Sequence, residues 1–556
     1  MPKRNPLRFP LVILGLVAAL LYLVWWALGI PIARGRERLL AGDAAAAAAA
    51  LEPWARLRLR GEDFEQLLAA AHLLAGDDDA ASAWLGRAGK RGADYLPALR
   101  REDAGRLFLG RGAYEPLLRW YAAVRVRRES DEAKLYRAGA ELGAGRRAEA
   151  EATFASIDRE DVDAARYSAL AEAFARRAEG TVPLLTDRAG RTIAIWHLEN
   201  RDLVAVNDDF LPLLDESGGR LTVEAQLERI GTAGTIETTL DPAVQKAALA
   251  AIAPWRASLV AIDPRTHQLL AVASSPGGGP RRNLAFEGLY EPGSIIKPLT
   301  ALAAAESGTI LARSFPLDCE GFAVIGGRRF LDWARHGRLA SNEEAMAVSC
   351  NVAYANMGLA LGRDRLRGLL ARARFGESAD LELFEVPLGR AVKPVDDEFS
   401  LANCAVGLDV LRLNALHIAM LADMFASGGT MTTPVLVRAR RSILGERIDA
   451  PRTPVSNRVA SSQHVAAIVP ALRAVVTDVR GTGRRAAIPG VDLAMKTGTA
   501  GDASGDYDSV ILAFAPAATP RIAFGIIAEN AGPAELAGAE ITRNFLAAVL
   551  QRDQSR

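Results

Sequence analysis

The chain has 556 residues, with 67 Lys plus Arg against 66 Asp plus Glu and a formal charge of +1. That length exceeds a single core and asks for two or three domains, and so even a balance excludes a nucleic-acid partner held by bulk charge. Three cysteines (Cys319, Cys350, Cys404) build no disulfide framework, and neither C-x-x-C nor H-E-x-x-H occurs, so no structural metal, redox centre or other cofactor is expected.

From Pro10 to Ala33 the run PLVILGLVAALLYLVWWALGIPIA carries no charge. At about 1.5 Å per helical residue it is long enough to cross roughly 30 Å of hydrocarbon, and Tyr22, Trp25 and Trp26 suit an interface. No small-residue cleavage site follows. Residues 10–33 are therefore expected to be an uncleaved transmembrane anchor behind a cytoplasmic tail, 1–9. Three basic residues precede the span (Lys3, Arg4, Arg8) and three follow it (Arg34, Arg36, Arg38), so charge alone barely orients it.

Residues 38–180 read as helix throughout, rich in Ala, Leu, Arg and Glu, with short Gly-bearing breaks. Gly42, Gly76, Gly112 and Gly145 lie 34, 36 and 33 residues apart, and each opens a small-residue helix, as in GDAAAAAAALEPW and GDDDAASAWLGRA. A period near 34 with Gly at the turn resembles tetratricopeptide repeats, whose helix pairs bury their apolar stripes only against the next pair. Such a surface suits protein partners.

The texture changes after Gly180. VPLLTDRAGRTIAIWH holds a turn at Asp187, Arg188 and Gly190 between β-rich runs, a hairpin signal that makes 181–232 a β-rich linker. ASLVAIDPRTHQLLAVAS and, near the other end, SVILAFAPAATPRIAFGIIAEN are each two apolar strands around a Pro-bearing turn. Both belong to one antiparallel sheet of an α+β domain, 233–550.

Within that domain, YEPGSIIKPLTALAAAESG places a helix start. Pro is tolerated only in a helix's first turn, so Pro298 sets the start close to Ser294, and Gly308 stops the run. Ser294 and Lys297 then share one face of the first turn. A serine hydroxyl is a poor nucleophile without a base in reach, and a desolvated, partly neutral lysine can be that base. Two further groups follow in AMAVSCNVAYANMGLALG and AMKTGTAG. Ser349, 55 residues after Ser294, can relay a proton, and the Asn351 carboxamide can hold a peptide amide. Lys496, Thr497, Gly498 and Thr499, before the last strand pair, suit a substrate carboxylate and an oxyanion hole on a strand edge.

Three motifs in this order resemble the penicillin-binding transpeptidase family, in its class B-like form. The resemblance runs from about Val182 to Ala547. It takes in TDRAGRTIA, RRNLAFEGLYEPGSIIKP and MFASGGTMTTPVLV as well as the three motifs. It implies the penicillin-binding transpeptidase fold, an antiparallel sheet flanked by helices, and a membrane-anchored D,D-transpeptidase that cross-links peptidoglycan stem peptides from the outer face of the cytoplasmic membrane. By the same resemblance Ser294 is the acylated nucleophile, Lys297 its base and Ser349 the proton relay. Asn351, Lys496, Thr497, Gly498 and Thr499 bind substrate, and the backbone N–H groups of Ser294 and Thr499 form the oxyanion hole. β-Lactams are the implied inhibitors. Glu62-Asp63-Phe64 lacks the His-Gly pair and loop of a glycan polymerase, so a separate glycosyltransferase and other cell-wall proteins are the implied partners of the helical region. Three departures touch the groove: Ile295-Ile296 inside S-x-x-K, Val406 to Asp409 where G-Q-G is usual, and Met495 for the Gly before K-T-G. The alternatives are a catalytically weak scaffold that recruits partners through its helices, and a β-lactam-sensing or β-lactam-hydrolysing serine protein.

Overall fold

The same Gly-Asp pair stops one helix and starts the next at two places in the N-terminal region. The computed structural model describes residues 8–56, 61–89, 98–178, 181–197, 202–206, 209–210, 234–278, 283–448, 453–501 and 506–554. Its first nine helices are α1 (Arg8–Leu40), α2 (Ala44–Ala55), α3 (Gly61–Ala75), α4 (Asp78–Ala88), α5 (Arg101–Leu109), α6 (Tyr114–Ala123), α7 (Asp131–Gly143), α8 (Arg147–Ala155) and α9 (Ala164–Ala178). Gly42 and Gly76 take left-handed φ of 100° and 75°, ending α1 and α3 as only a residue without Cβ does cheaply. The next residue then caps the following helix: Asp43 Oδ1 accepts from Ala46 N at 2.9 Å, and Asp77 Oδ1 from Ala80 N at 3.1 Å. Successive helices pack on one another around Phe64, Leu67, Phe108, Trp120 and Tyr136, all fully buried.

Most side chains of the expected span 10–33, those of Tyr22, Trp25 and Trp26 included, lie outside the described residues. Among the described residues, no helix is long and apolar enough to cross a membrane.

Two five-stranded sheets follow. The strands are β1 (Thr181–Thr186), β2 (Thr192–His197), β3 (Asp202–Ala205), β4 (Thr235–Thr238), β5 (Arg256–Asp263), β6 (Gln268–Pro276), β7 (Val437–Arg441), β8 (Ala494–Gly501), β9 (Tyr507–Ala515) and β10 (Ile522–Glu529). The smaller sheet runs β7-β4-β1-β2-β3. Its β1–β2 turn is held by Asp187 Oδ1, which accepts from Ala189 N and Arg191 N at 2.7 and 3.0 Å. This sheet leads into the helical region, because the turn after β7 plugs into it. Ile443 and Leu444 complete the helical core, and Glu446 accepts from Tyr136 Oη at 2.8 Å and pairs with Arg166 Nε at 3.1 Å.

The larger sheet runs β8-β9-β10-β5-β6, antiparallel throughout, so the two apolar strand pairs from opposite ends of the domain meet at β10 and β5. Its central strands are buried on both faces, which is why they read as continuous apolar runs. Helices Pro242–Ile252 and Ala537–Gln554 pack together against the sheet, and helix Ala415–Ala426 packs across β10, β9 and β5. That last helix lies directly on the strand at Gly525, where a Cβ would fall 2.6 Å from Ala415 O. The result positions β8 as a free edge, with the turn bearing Ser294 packed along it.

Candidate active site

Gly293 enters the site in the left-handed region, with φ of 54°, and a 3₁₀ turn (Gly293–Ile296) runs into helix Lys297–Glu306 with Pro298 in its first turn. The turn is clamped between two backbones. Gly293 N donates to Gly407 O at 3.0 Å, and a Cβ on Gly407 would lie 2.0 Å from Gly293 O. On the other side, a Cβ on Gly498 of β8 would lie 2.6 Å from Pro292 O. Ile295 and Ile296 are fully buried beneath the turn, so this departure from the family pattern is met in the core and not in the groove. Ser294 itself is partly exposed.

Ser349 lies between helices Asn342–Ala347 and Asn351–Leu361, and is itself in the left-handed region at φ 55°. A non-glycine residue there stores strain that the surrounding packing must hold. Its hydroxyl sits between two lysines. Lys297 Nζ donates to Ser349 Oγ at 3.1 Å, to Ser349 O at 2.6 Å and to Asn351 Oδ1 at 2.6 Å. Lys496 Nζ donates to Ser349 Oγ at 2.9 Å and to Thr497 O at 2.8 Å. The structure thus joins Lys297, Ser349, Asn351, Lys496 and Thr497 in one network. Among the described residues, no hydrogen bond links the Lys297 amine to the Ser294 hydroxyl.

Both lysines are fully buried. Burial penalises the ammonium form and lowers Lys297 from its ordinary value to about 8, although the Asp332 charge works the other way. Lys496 is pushed well down too, by burial first and then by the nearby Lys297 charge. Lowered to about 8, the Lys297 amine can give up or take back a proton far closer to neutral pH than an ordinary lysine, which is what an acid–base relay needs.

Gly498 and Thr499 lie along the edge strand. Thr499 is exposed, and its hydroxyl accepts from Ala534 N at 3.0 Å, so it is tied to the segment after β10 and not to the lysine network. Thr497 instead shares a hydroxyl–hydroxyl bond of 2.6 Å with Thr482. Met495 points into the core against Gly483, away from the groove. Asp409, in the segment replacing G-Q-G, donates its backbone N–H to Glu291 Oε1.

Thr482 and a cluster behind the Ser349–Asn351 turn join the site without belonging to any of the three motifs. Thr482 stands in Gly481-Thr482-Gly483, a glycine-flanked hydroxyl whose composition was a usable loop signal. The Asp332 side chain is buried; its Oδ2 accepts from Val352 N at 3.0 Å and from the Cys350 and Cys319 thiols at 3.1 and 3.5 Å, and its Oδ1 contacts His336 Nε2 at 3.3 Å. Hydrogen bonds from His336, Val352 and Cys350 and the Lys297 charge hold the Asp332 carboxyl far below the usual range despite its burial. Burial and that carboxylate push the Cys350 thiol strongly up.

Residues 257–551 match the family model for the penicillin-binding protein transpeptidase domain. The chain belongs to that family. It is 30% identical over 346 residues to the peptidoglycan D,D-transpeptidase PbpA of Mycolicibacterium smegmatis, covering 54% of this chain and 68% of that one. Among solved structures it resembles the D,D-transpeptidase domain of a peptidoglycan glycosyltransferase from Eggerthella lenta, with a TM-score of 0.59 and 24% identity over 68% of this chain and 99% of the other. It also resembles penicillin-binding protein A from M. tuberculosis in a ceftriaxone acyl-enzyme complex, with a TM-score of 0.57 and 22% identity over 69% of this chain and 100% of the other. At these identities the two structures speak for the fold.

Proposed function

We propose that the chain is a peptidoglycan D,D-transpeptidase working through a serine acyl-enzyme. The observation that carries this reading is the sealed Lys297–Ser349–Lys496 network directly beside the Ser294 turn. Ser294 Oγ attacks the carbonyl of the penultimate D-Ala and passes its proton to neutral Lys297. Ser349 relays a proton to the departing D-alanine amine, and an acceptor amine on a neighbouring strand then attacks the ester and regenerates Ser294. The N–H groups of Ser294 and Thr499, on adjacent backbones, face the developing oxyanion. Lys496, Thr497 and Gly498 line the carboxylate end. Asn351 holds a substrate amide; when it turns to do so, it leaves Lys297 and frees that amine for Ser294. β-Lactams acylate the same serine. An intact pair of buried lysines argues against a catalytically quiet scaffold.

Fluorescent penicillin should label the protein once, on the peptide carrying Ser294, and Ser294→Ala should abolish the label with the melting temperature unchanged. Labelling that survives in this variant would place the nucleophile elsewhere.

The charge-free run 10–33 supports a single-pass anchor in the cytoplasmic membrane, with 1–9 inside and the catalytic domain outside, where the glycan strands are. The helical region 38–180 is then a docking surface for cell-wall proteins, a separate glycosyltransferase among them, joined through 181–232 to the catalytic domain 233–550. Protease added to spheroplasts should digest the chain down to its anchor. Protection of 38–556 while an outward-facing control is cut means the reverse orientation.

A further inference from the structure

Between Leu317 and Leu339 the chain forms a flap of two short ribbons, 317–319 with 337–339 and 322–325 with 328–331. Ribbons of this size do not hold themselves together in water. The flap has little core of its own: Val324, Leu331 and Trp333 are 70%, 62% and 58% exposed. Its inner side docks on the domain through buried Ile325, Phe330 and Leu339, and beside them Cys319, Asp332 and His336 close on Cys350, the residue between Ser349 and Asn351. One potential ligand atom from each of the four lies within 4.8 Å of the other three. Both cysteines are fully buried, and the Asp332 and His336 side chains are 0% and 5% exposed.

We infer that these four residues form a tetrahedral zinc site that fastens the flap to the Ser349–Asn351 turn. The donor set is two sulfurs, one imidazole nitrogen and one carboxylate oxygen, a combination that suits zinc and leaves no open position for water. With bonds of about 2.3 Å to sulfur and about 2.0 Å to nitrogen or oxygen, the edges of such a tetrahedron are roughly 3.3–3.8 Å. Asp332 Oδ2 lies 3.1 and 3.5 Å from the Cys350 and Cys319 sulfurs, and the other carboxylate oxygen, Oδ1, lies 3.3 Å from His336 Nε2, so small side-chain shifts, with a turn of the carboxylate or the imidazole, admit the ion. The carboxylate is already oriented from outside the cluster, by Trp333 N at 2.9 Å and Val352 N at 3.0 Å, as metal ligands characteristically are. Binding displaces the two thiol protons to solvent. Two thiolates and a carboxylate around a dication leave one net negative charge, the same as the carboxylate beside two neutral thiols. The field at Lys297 is therefore preserved, and the site is a structural clip and not a Lewis acid for the reaction.

The test uses the full chain. Elemental analysis after desalting should find one zinc per chain, and Cys319→Ser, at the ligand furthest in sequence from Ser349, should lose it. Cys319→His, which keeps a ligand, should retain zinc. Cobalt(II) added to the metal-stripped protein should give the intense thiolate-to-cobalt absorption of a tetrahedral site, absent in Cys319→Ser. Zinc returned to the stripped protein should raise its melting temperature by several degrees. Protein that purifies without metal and neither binds cobalt through sulfur nor responds to zinc overturns the proposal, as does zinc held equally by Cys319→Ser. Penicillin labelling at Ser294 is read separately, so either result stands without the other.

Discussion

The helical region and the catalytic domain both rely on left-handed glycines, yet the glycines do different work. Gly76 turns α3 into α4, and a Cβ there would meet nothing within 4 Å. Gly407 has nearly the same φ, but its Cβ would fall on Gly293 O. In the first region the glycine solves a local problem; in the second it lets two segments over a hundred residues apart in sequence touch at the nucleophile. Contacts follow the same division. The helices pack mainly on sequence neighbours, whereas the site gathers residues from Gly293 to Thr499 onto one sheet edge.

The hardest way to break the catalytic half is through its base. Lys297→Met should cut the rate of penicillin acylation by about 10²–10⁴-fold, the usual worth of a positioned general base. A variant acylated at the parent rate would remove Lys297 from the mechanism. The pH profile sharpens the point. Because burial lowers Lys297 to about 8, its neutral, proton-accepting form appears well below the ordinary lysine range. Acylation should climb about tenfold per pH unit up to about 8 and then level off. A climb that continues to pH 10 describes an ordinary, solvated lysine.

Paired glycine substitutions compare the two regions directly. Gly407→Ala adds to the left-handed penalty of roughly 1–2 kcal/mol the cost of a clash with Gly293, about 1–3 kcal/mol more, and should slow acylation because Ser294 moves with the turn. Gly76→Ala incurs only the left-handed penalty and should leave acylation alone. Equal losses of stability, read by thermal or urea unfolding, would show that the clamp at Gly293 yields.

The smallest effect is expected from removing the helices. Excising residues 44–178, with Ile443 and Leu444 changed to Ser to solubilise the exposed plug, should change the acylation rate less than about threefold while impairing function in cells. A large loss would make the plug between Glu446, Tyr136 and Arg166 part of what shapes the site.

Much was legible before any coordinates, because the information was local. Pro298 fixed a helix start near Ser294, the Gly-bearing breaks marked helix boundaries, and apolar runs around Pro-bearing turns marked strand pairs. Spacing then tied Ser294, Lys297, Ser349, Asn351 and Lys496 to one chemistry, since those residue types in that order serve few others. What needed the tertiary structure was everything set by approach between distant segments. Met495 read as an intruder in the groove, but it is fully buried against Gly483, and Thr497, two residues on along the same strand face, meets the neighbouring Thr482. The Lys297 amine bonds Ser349 and Asn351 in place of Ser294, because burial leaves it seeking acceptors that only the folded turn supplies. Cys319, Asp332, His336 and Cys350 have no motif spacing and read as unrelated residues. Only the folding of a small flap back onto a helix start brings their side chains together, and that closure is a property of packing, which no local pattern in the chain encodes.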